Sequence, residues 1–159
     1  YQKYVKRKTA QMKNDPNARI RPRLEWKQVR EYMLNDSPLA RGNRFNKARE
    51  GEYPYKEVNL EDGRRVDSYD PVKNEIIERK AVDFDDMDPT TFERYLTETK
   101  QKYPNGKKIR SNQYPELDGK GLQGDYVIEV PETNLSAATR AQFEAMAQAH
   151  GFRIRYAPE

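Results

Sequence analysis

The chain of 159 residues has no cysteine and one histidine, His150. Disulfides, thiolate zinc sites and cysteine nucleophiles are therefore excluded, and so are metal sites built from clustered histidines. A Ser-His-Asp triad would rest on His150 alone. That residue stands before Gly151 in "AQAHGF", where a helix C-terminus favours a partly cationic side chain. No window approaches ~18 consecutive apolar residues, the length a membrane-spanning helix needs, and no apolar signal segment is present. The chain opens at Tyr1 rather than methionine, so it is expected to be a piece or processed product of something longer. Chemistry is left to Asp, Glu, Lys, Tyr or a metal held by oxygen.

Apolar and charged residues each make up 35% of the chain, which also has 11 Tyr, 5 Phe and one Trp. That length and aromatic content predict one domain with a real core, accompanied by mobile parts. Charge is uneven. Residues 1–56 hold 15 Lys/Arg against 6 Asp/Glu, and residues 57–159 hold 15 against 20, so +9 and −5 give the net +4. A basic arm (1–36) joined to a more acidic domain (37–159) suits polyanion binding beside a carboxylate-bearing site. A solubilising leader is the plainer alternative.

Residues 1–24, with Pro16 and Pro22, read as an extended or partly helical arm. Leu24, Trp26, Val29, Tyr32 and Met33 fall on one helical stripe. Asp36 or Ser37 before Pro38 starts another helix, which is expected to stop at Gly51. Asp62-Gly63 marks a hairpin between "EVNL" and "RRVDSY", and "DPVKN" turns the chain again into "EIIERKAV". Asp88-Pro89 opens a further helix, with Phe92 and Leu96 (and with them Tyr95 and Tyr103) on its buried side. The long polar stretch 110–124 reads as a functional loop. "DYVIEV" is a central strand, Asn134 or Ser136 caps the last helix, and "FRIRYA" closes with period-2 alternation. The predicted order after the leader is α-β-β-β-α-β-α-β.

Zipping the second and third strands from Tyr69 opposite Ile76 sets Asp67 opposite Glu78. Lys80, two residues beyond Glu78, projects from the same face. Like charges directly opposed in a sheet repel, and a hard divalent cation reverses that sign. Mg²⁺ is held by one or two carboxylates, with water and phosphate completing its shell. The alternative is a solvated hairpin on which Lys80 neutralises two acids.

Asp67, ten residues, then Glu78-Arg79-Lys80 resembles the PD-(D/E)xK nuclease motif. The stretch "RGNRFNKARE…YPYKEVNLEDGRRVDSYDPVKNEIIERKAVD…LQGDYVIEVP" is similar to restriction-endonuclease-like toxin domains at the C-termini of bacterial polymorphic and contact-dependent inhibition toxins. The likeness covers roughly residues 37–159. Val66 stands where the motif name has proline. The resemblance implies an α/β fold with an αβββαβ core, a small mixed sheet and flanking helices. It implies a metal-dependent endonuclease in which Asp67 and Glu78 hold Mg²⁺ or Mn²⁺, with the Arg79 carbonyl as a further ligand and Lys80 activating water. In this fold a first-helix residue often completes the site, and Glu50 is expected there ahead of Asn43 and Asn46. Lys107, Lys108, Arg110 and Lys120, with Tyr114, are expected either to contact the polymer or to form an exposed rim, and Gln123 and Tyr126, near the fourth strand, to position substrate. DNA is favoured over structured RNA such as tRNA. Delivery from a larger bacterial precursor into a target cytoplasm, and a cognate immunity protein, are implied with it. A non-catalytic nucleic-acid-binding module and a protein-interaction domain are the rival classes.

"GKGLQG" (119–124) matches G-x-G-x-x-G letter for letter but lacks the strand before and helix after that a dinucleotide site needs. The run Asp83, Asp85, Asp86 and Asp88 lacks the glycine and distal glutamate of a calcium loop.

Overall fold

Asp62 and Gly63 turn the chain as their chemistry dictates. Gly63 takes φ +86°, Asp62 Oδ1 accepts from the Arg64 N–H at 3.0 Å, and strands β1 (Tyr55–Asn59) and β2 (Arg65–Asp70) pair antiparallel on either side. The next turn is held by Asp70, whose Oδ1 accepts from the Val72 and Lys73 N–H groups at 3.1 and 3.0 Å. Asn74 takes the left-handed conformation at φ +59°. Strand β3 (Glu75–Arg79) then pairs with β2 in the register expected from sequence, Tyr69 with Ile76 and Ser68 with Ile77.

The computed structural model describes residues 1–159, a mixed α/β fold whose five-stranded sheet runs β1-β2-β3-β4-β5. Strands β4 (Asp125–Pro131) and β5 (Phe152–Ala157) run parallel to β3. Helices α4 (Pro89–Lys102) and α5 (Ala137–Ala149) make the two crossovers. Asp88 caps α4 by accepting from the Thr90 and Thr91 N–H groups, and Ser136 caps α5 through Thr139. Gly124 fits where little else does. A Cβ there would sit 2.8 Å from the Asn74 carbonyl carbon, at φ +155°, so the chain enters β4 pressed against the β2–β3 turn.

Two compact units divide at Arg41 and Gly42, five residues later than the sequence suggests and inside α3 (Pro38–Arg49). In the first unit, residues 2–12 form helix α1, more regular than the arm expected. Its reason is tertiary: Tyr1, Tyr4 and Trp26 of α2 (Arg23–Asn35) cluster with ring centroids 5.4–5.9 Å apart. Tyr1 and Tyr4 also bond the Arg21 backbone. Leu24, Tyr32, Met33 and Leu34 of α2 stay exposed.

In the second unit the two faces of the sheet differ in kind. One is apolar: Ile76, Tyr126, Ile128, Val130 and Phe152 pack with Phe92 and Leu96 of α4, Phe143 and Ala147 of α5, and Phe84. The other carries ions. Glu129 is wholly buried, and its carboxylate accepts from Arg79 Nε (2.8 Å), Arg49 of α3 and the Tyr53 hydroxyl. Arg79 also donates to Asn46 Oδ1 at 2.8 Å and to Ser68 Oγ. Beside them, Glu75 accepts from Arg153 and Arg155 at 2.9 and 2.6 Å. Burial opposes ionisation of Glu129, but the Tyr53, Arg49 and Arg79 donors prevail and hold its carboxyl below the ordinary value.

Strand β3 ends at Arg79 rather than running to Val82, because the chain must bend into the 3-10 turn Phe84–Asp86. The long loop after α4 is tightly bonded. Leu60 bridges Ile109 just past β1, and Lys108 bridges Gly121 within the loop itself. No helix is long and apolar enough to cross a membrane.

Removing one member of a buried ion pair strands the other. Glu129→Ala is therefore expected to lower unfolding free energy by about 3–5 kcal/mol in chemical denaturation. A loss below ~1 kcal/mol would remove this network from the account of stability.

Candidate active site

Backbone pairing between β2 and β3 stops at Ser68 and Ile77, and side chains take over. The Asp67 N–H donates to Glu78 Oε1 at 3.0 Å, and the Arg79 N–H donates to Asp67 Oδ2 at 2.8 Å. Each carboxylate thus accepts a backbone bond at the level where the strands part. The two carboxyl groups are thereby held on neighbouring strands, each anchored to the other's end of the ladder. This is the opposed pair expected from the hairpin register.

The environment disfavours charge on both acids. Burial raises the Asp67 carboxyl above its usual range, against the pull of the Arg79 N–H and guanidinium. Burial first, and the Asp67 charge second, push Glu78 well above its ordinary value. Two half-buried carboxylates this close either share a proton or hold a cation. Their oxygens are hard donors, and a pair of carboxylates suffices for Mg²⁺ when water and phosphate complete the shell. On that donor chemistry Asp67 and Glu78 fit the metal implied by the resemblance.

Lys80 continues the strand direction past β3, its N–H donating to the Glu129 carbonyl at 3.0 Å. Arg79 points to the ionic face, so alternation returns Lys80 to the side of Glu78. Its ammonium lies 4.4 Å from the centroid of the Tyr95 ring. Burial lowers its pKa, partly opposed by Glu98. Tyr95 belongs to the same cluster: burial, then the charges of Glu78 and Asp67, raise its hydroxyl well above the ordinary value, and Tyr103 shifts the same way. Tyr95 was legible from sequence only as a buried helix residue.

Glu50 is not brought to the pair. Helix α3 ends at Arg49, and Glu50 lies in the 3-10 turn beyond it, its carboxylate 3.3 Å from Lys56 Nζ. Asn46 and Arg49 of that helix reach Arg79 and Glu129 on the other face of the sheet, and Asn43 is exposed. No group of three acidic or histidine side chains gathers as a metal cluster. Glu57, unremarked in the sequence, lies across β1 from Asp67, between the Lys56–Ser68 and Val58–Val66 pairs. It takes φ +48°, and its charge adds to the rise at Asp67.

The residues expected to contact a polymer scatter. Lys107 is 3.5 Å from Asp62 and 3.9 Å from Glu61, and Lys108 and Arg110 are exposed on the bonded loop. Lys120 and Gln123 line one cavity. Tyr114 packs edge-on against Tyr55 at 4.8 Å, and buried Tyr126 donates its hydroxyl to the Tyr103 carbonyl.

Comparison with protein-family models, curated proteins and solved structures finds nothing that matches this chain.

Because the folded pKa values of Asp67 and Glu78 are raised, their contribution to stability is full below the unfolded carboxyl value. It is lost as pH rises through the folded values. Glu78→Gln keeps an oxygen for the Asp67 N–H and removes the repulsion. In EDTA at pH 7 this variant is expected to melt a few degrees above wild type, roughly 1–2 kcal/mol. The gap should close toward pH 4. Mg²⁺ or Mn²⁺ should raise the melting temperature of wild type and leave the variant unmoved. Equal melting of both proteins across that range would contradict the paired-carboxylate account.

Proposed function

We propose that this chain is a metal-dependent nuclease of the restriction-endonuclease-like kind, hydrolysing phosphodiester bonds at Asp67, Glu78 and Lys80. The observation that carries the reading is the opposed carboxylate pair at the parting of β2 and β3, with Lys80 returned to the same face. The helix, three-strand meander, helix, strand order is compatible with an αβββαβ core.

Asp67 and Glu78 would hold Mg²⁺ or Mn²⁺, which when bound supplies charge stabilisation to a phosphoryl oxygen and lowers the pKa of water. The protein groups have separate tasks. The backbone bonds from Asp67 and Arg79 fix the carboxylates in place before any ligand arrives. Lys80, its pKa lowered by burial, takes a proton from the attacking water and faces the charge growing on the phosphate. The new bond joins water oxygen to phosphorus, the ester oxygen leaves, and solvent returns its proton. Basic residues 1–56, with a net of +9, attract the polyanion.

In this reading the chain is a toxin domain delivered from a larger precursor, with a cognate immunity protein that is acidic where it meets basic surface. DNA is the first substrate to test and structured RNA the second.

The test is incubation of the full chain with supercoiled plasmid and with total tRNA, each with Mg²⁺ and with EDTA. Cleavage of one polymer in Mg²⁺ alone is expected. Lys80→Ala should lower the rate by at least about 100-fold while polymer binding stays within about twofold. Failure of wild type to cut either polymer with metal would sink the proposal.

A further inference from the structure

A second feature lies on β2 two residues from Asp67. Tyr69 projects from the same face as Asp67, about 7 Å along the strand, and pairs across the ladder with Tyr55. Between them and the bonded loop opens a cavity of about 470 Å³. Its polar lining is a carboxylate, a carboxamide and an ammonium: Glu116, Gln123 and Lys120. Tyr55 forms an aromatic wall and Leu117 an apolar one.

The cavity is built rather than incidental. The Tyr69 hydroxyl accepts from the Gln123 N–H at 3.1 Å, and Ile109 donates to the Lys120 carbonyl at 2.8 Å, so loop and strand hold a fixed distance. Tyr114 stands edge-on to Tyr55, ring centroids 4.8 Å apart, and fixes that ring.

Resting on the nuclease reading, we infer that this cavity receives one unpaired nucleobase next to the phosphate that is cut. A tyrosine ring stacks on any base. A carboxylate accepts from the exocyclic amino group of cytosine, adenine or guanine, which thymine and uracil lack. Gln123 supplies both a donor and an acceptor, and Lys120 meets an adjoining phosphate. A base inside a duplex has that edge occupied and its faces stacked, so it enters only by leaving the helix. The substrate class is therefore a single strand or an unpaired loop, DNA or RNA, with an amino-bearing base at this position.

The experiment uses full-chain Lys80→Ala in EDTA, so that nothing is cleaved, and follows fluorescence anisotropy of labelled oligonucleotides. The probes are a cytosine-rich single strand, a thymine-only single strand and a duplex of equal length. The cytosine strand is expected to bind roughly tenfold tighter than either of the others. Adding Glu116→Ala and Gln123→Ala, both exposed side chains, should abolish that preference and leave the unfolding midpoint unchanged. Lys120→Ala should instead lower the slope of log affinity against log salt by about one. Equal binding of duplex and single strand, or a preference surviving the double substitution, overturns the inference. The two readings fail separately. Cleavage by wild type with the preference unaffected by the double substitution overturns the base site alone. The binding pattern without cleavage by wild type overturns the nuclease reading and leaves a nucleotide-binding cavity standing.

Discussion

The buried pair between Arg79 and Glu129 sets the rest of the site. Glu129 has no exposed surface, and Arg79 reaches it at 2.8 Å while also bonding Asn46 and Ser68. An ionised group at that depth is tolerable only with such partners. Once the Arg79 side chain is committed to the ionic face, strand alternation leaves Glu78 and Lys80 no choice but the other side. The Arg79 N–H, meanwhile, is the donor that holds Asp67. One residue thus joins the ionic network on one face of β3 to the carboxylate pair on the other.

The two faces handle charge in opposite ways. Glu129 has three donors and is held below its usual pKa, whereas Asp67 and Glu78 have each other and are pushed up. An arrangement of the second kind costs stability unless something positive arrives. Lys80 stands beside this cluster, its ammonium 4.4 Å from the centroid of the Tyr95 ring.

Much of this was legible in the sequence where local chemistry decides it. Asp62-Gly63, Asp70 with Asn74, Asp88-Pro89 and Ser136 placed turns and caps correctly, and Tyr69 opposite Ile76 gave the hairpin register. What failed depends on contacts far apart in the chain. Helix α1 is held by Tyr1 and Tyr4 against Trp26, which no reading of residues 1–12 reveals. Glu50 shares a plausible stripe with Asn46, yet α3 turns that stripe to Arg79 and Glu129 and ends before Glu50. Arg49, Tyr53 and Glu129 are separated by up to 80 residues, and nothing in their local spacing announces that they meet. Tyr95 is similar: helical periodicity marks it as inward, and only the assembled sheet shows that it lies against Lys80.

On the proposed reading Asp67 and Glu78 hold one divalent cation between them. Anomalous diffraction from crystals grown with Mn²⁺ tests it most directly. One strong peak within coordination distance of both carboxylates is expected, absent from Glu78→Gln crystals grown alike. Well-ordered carboxylates with no peak between them at saturating Mn²⁺ would contradict it.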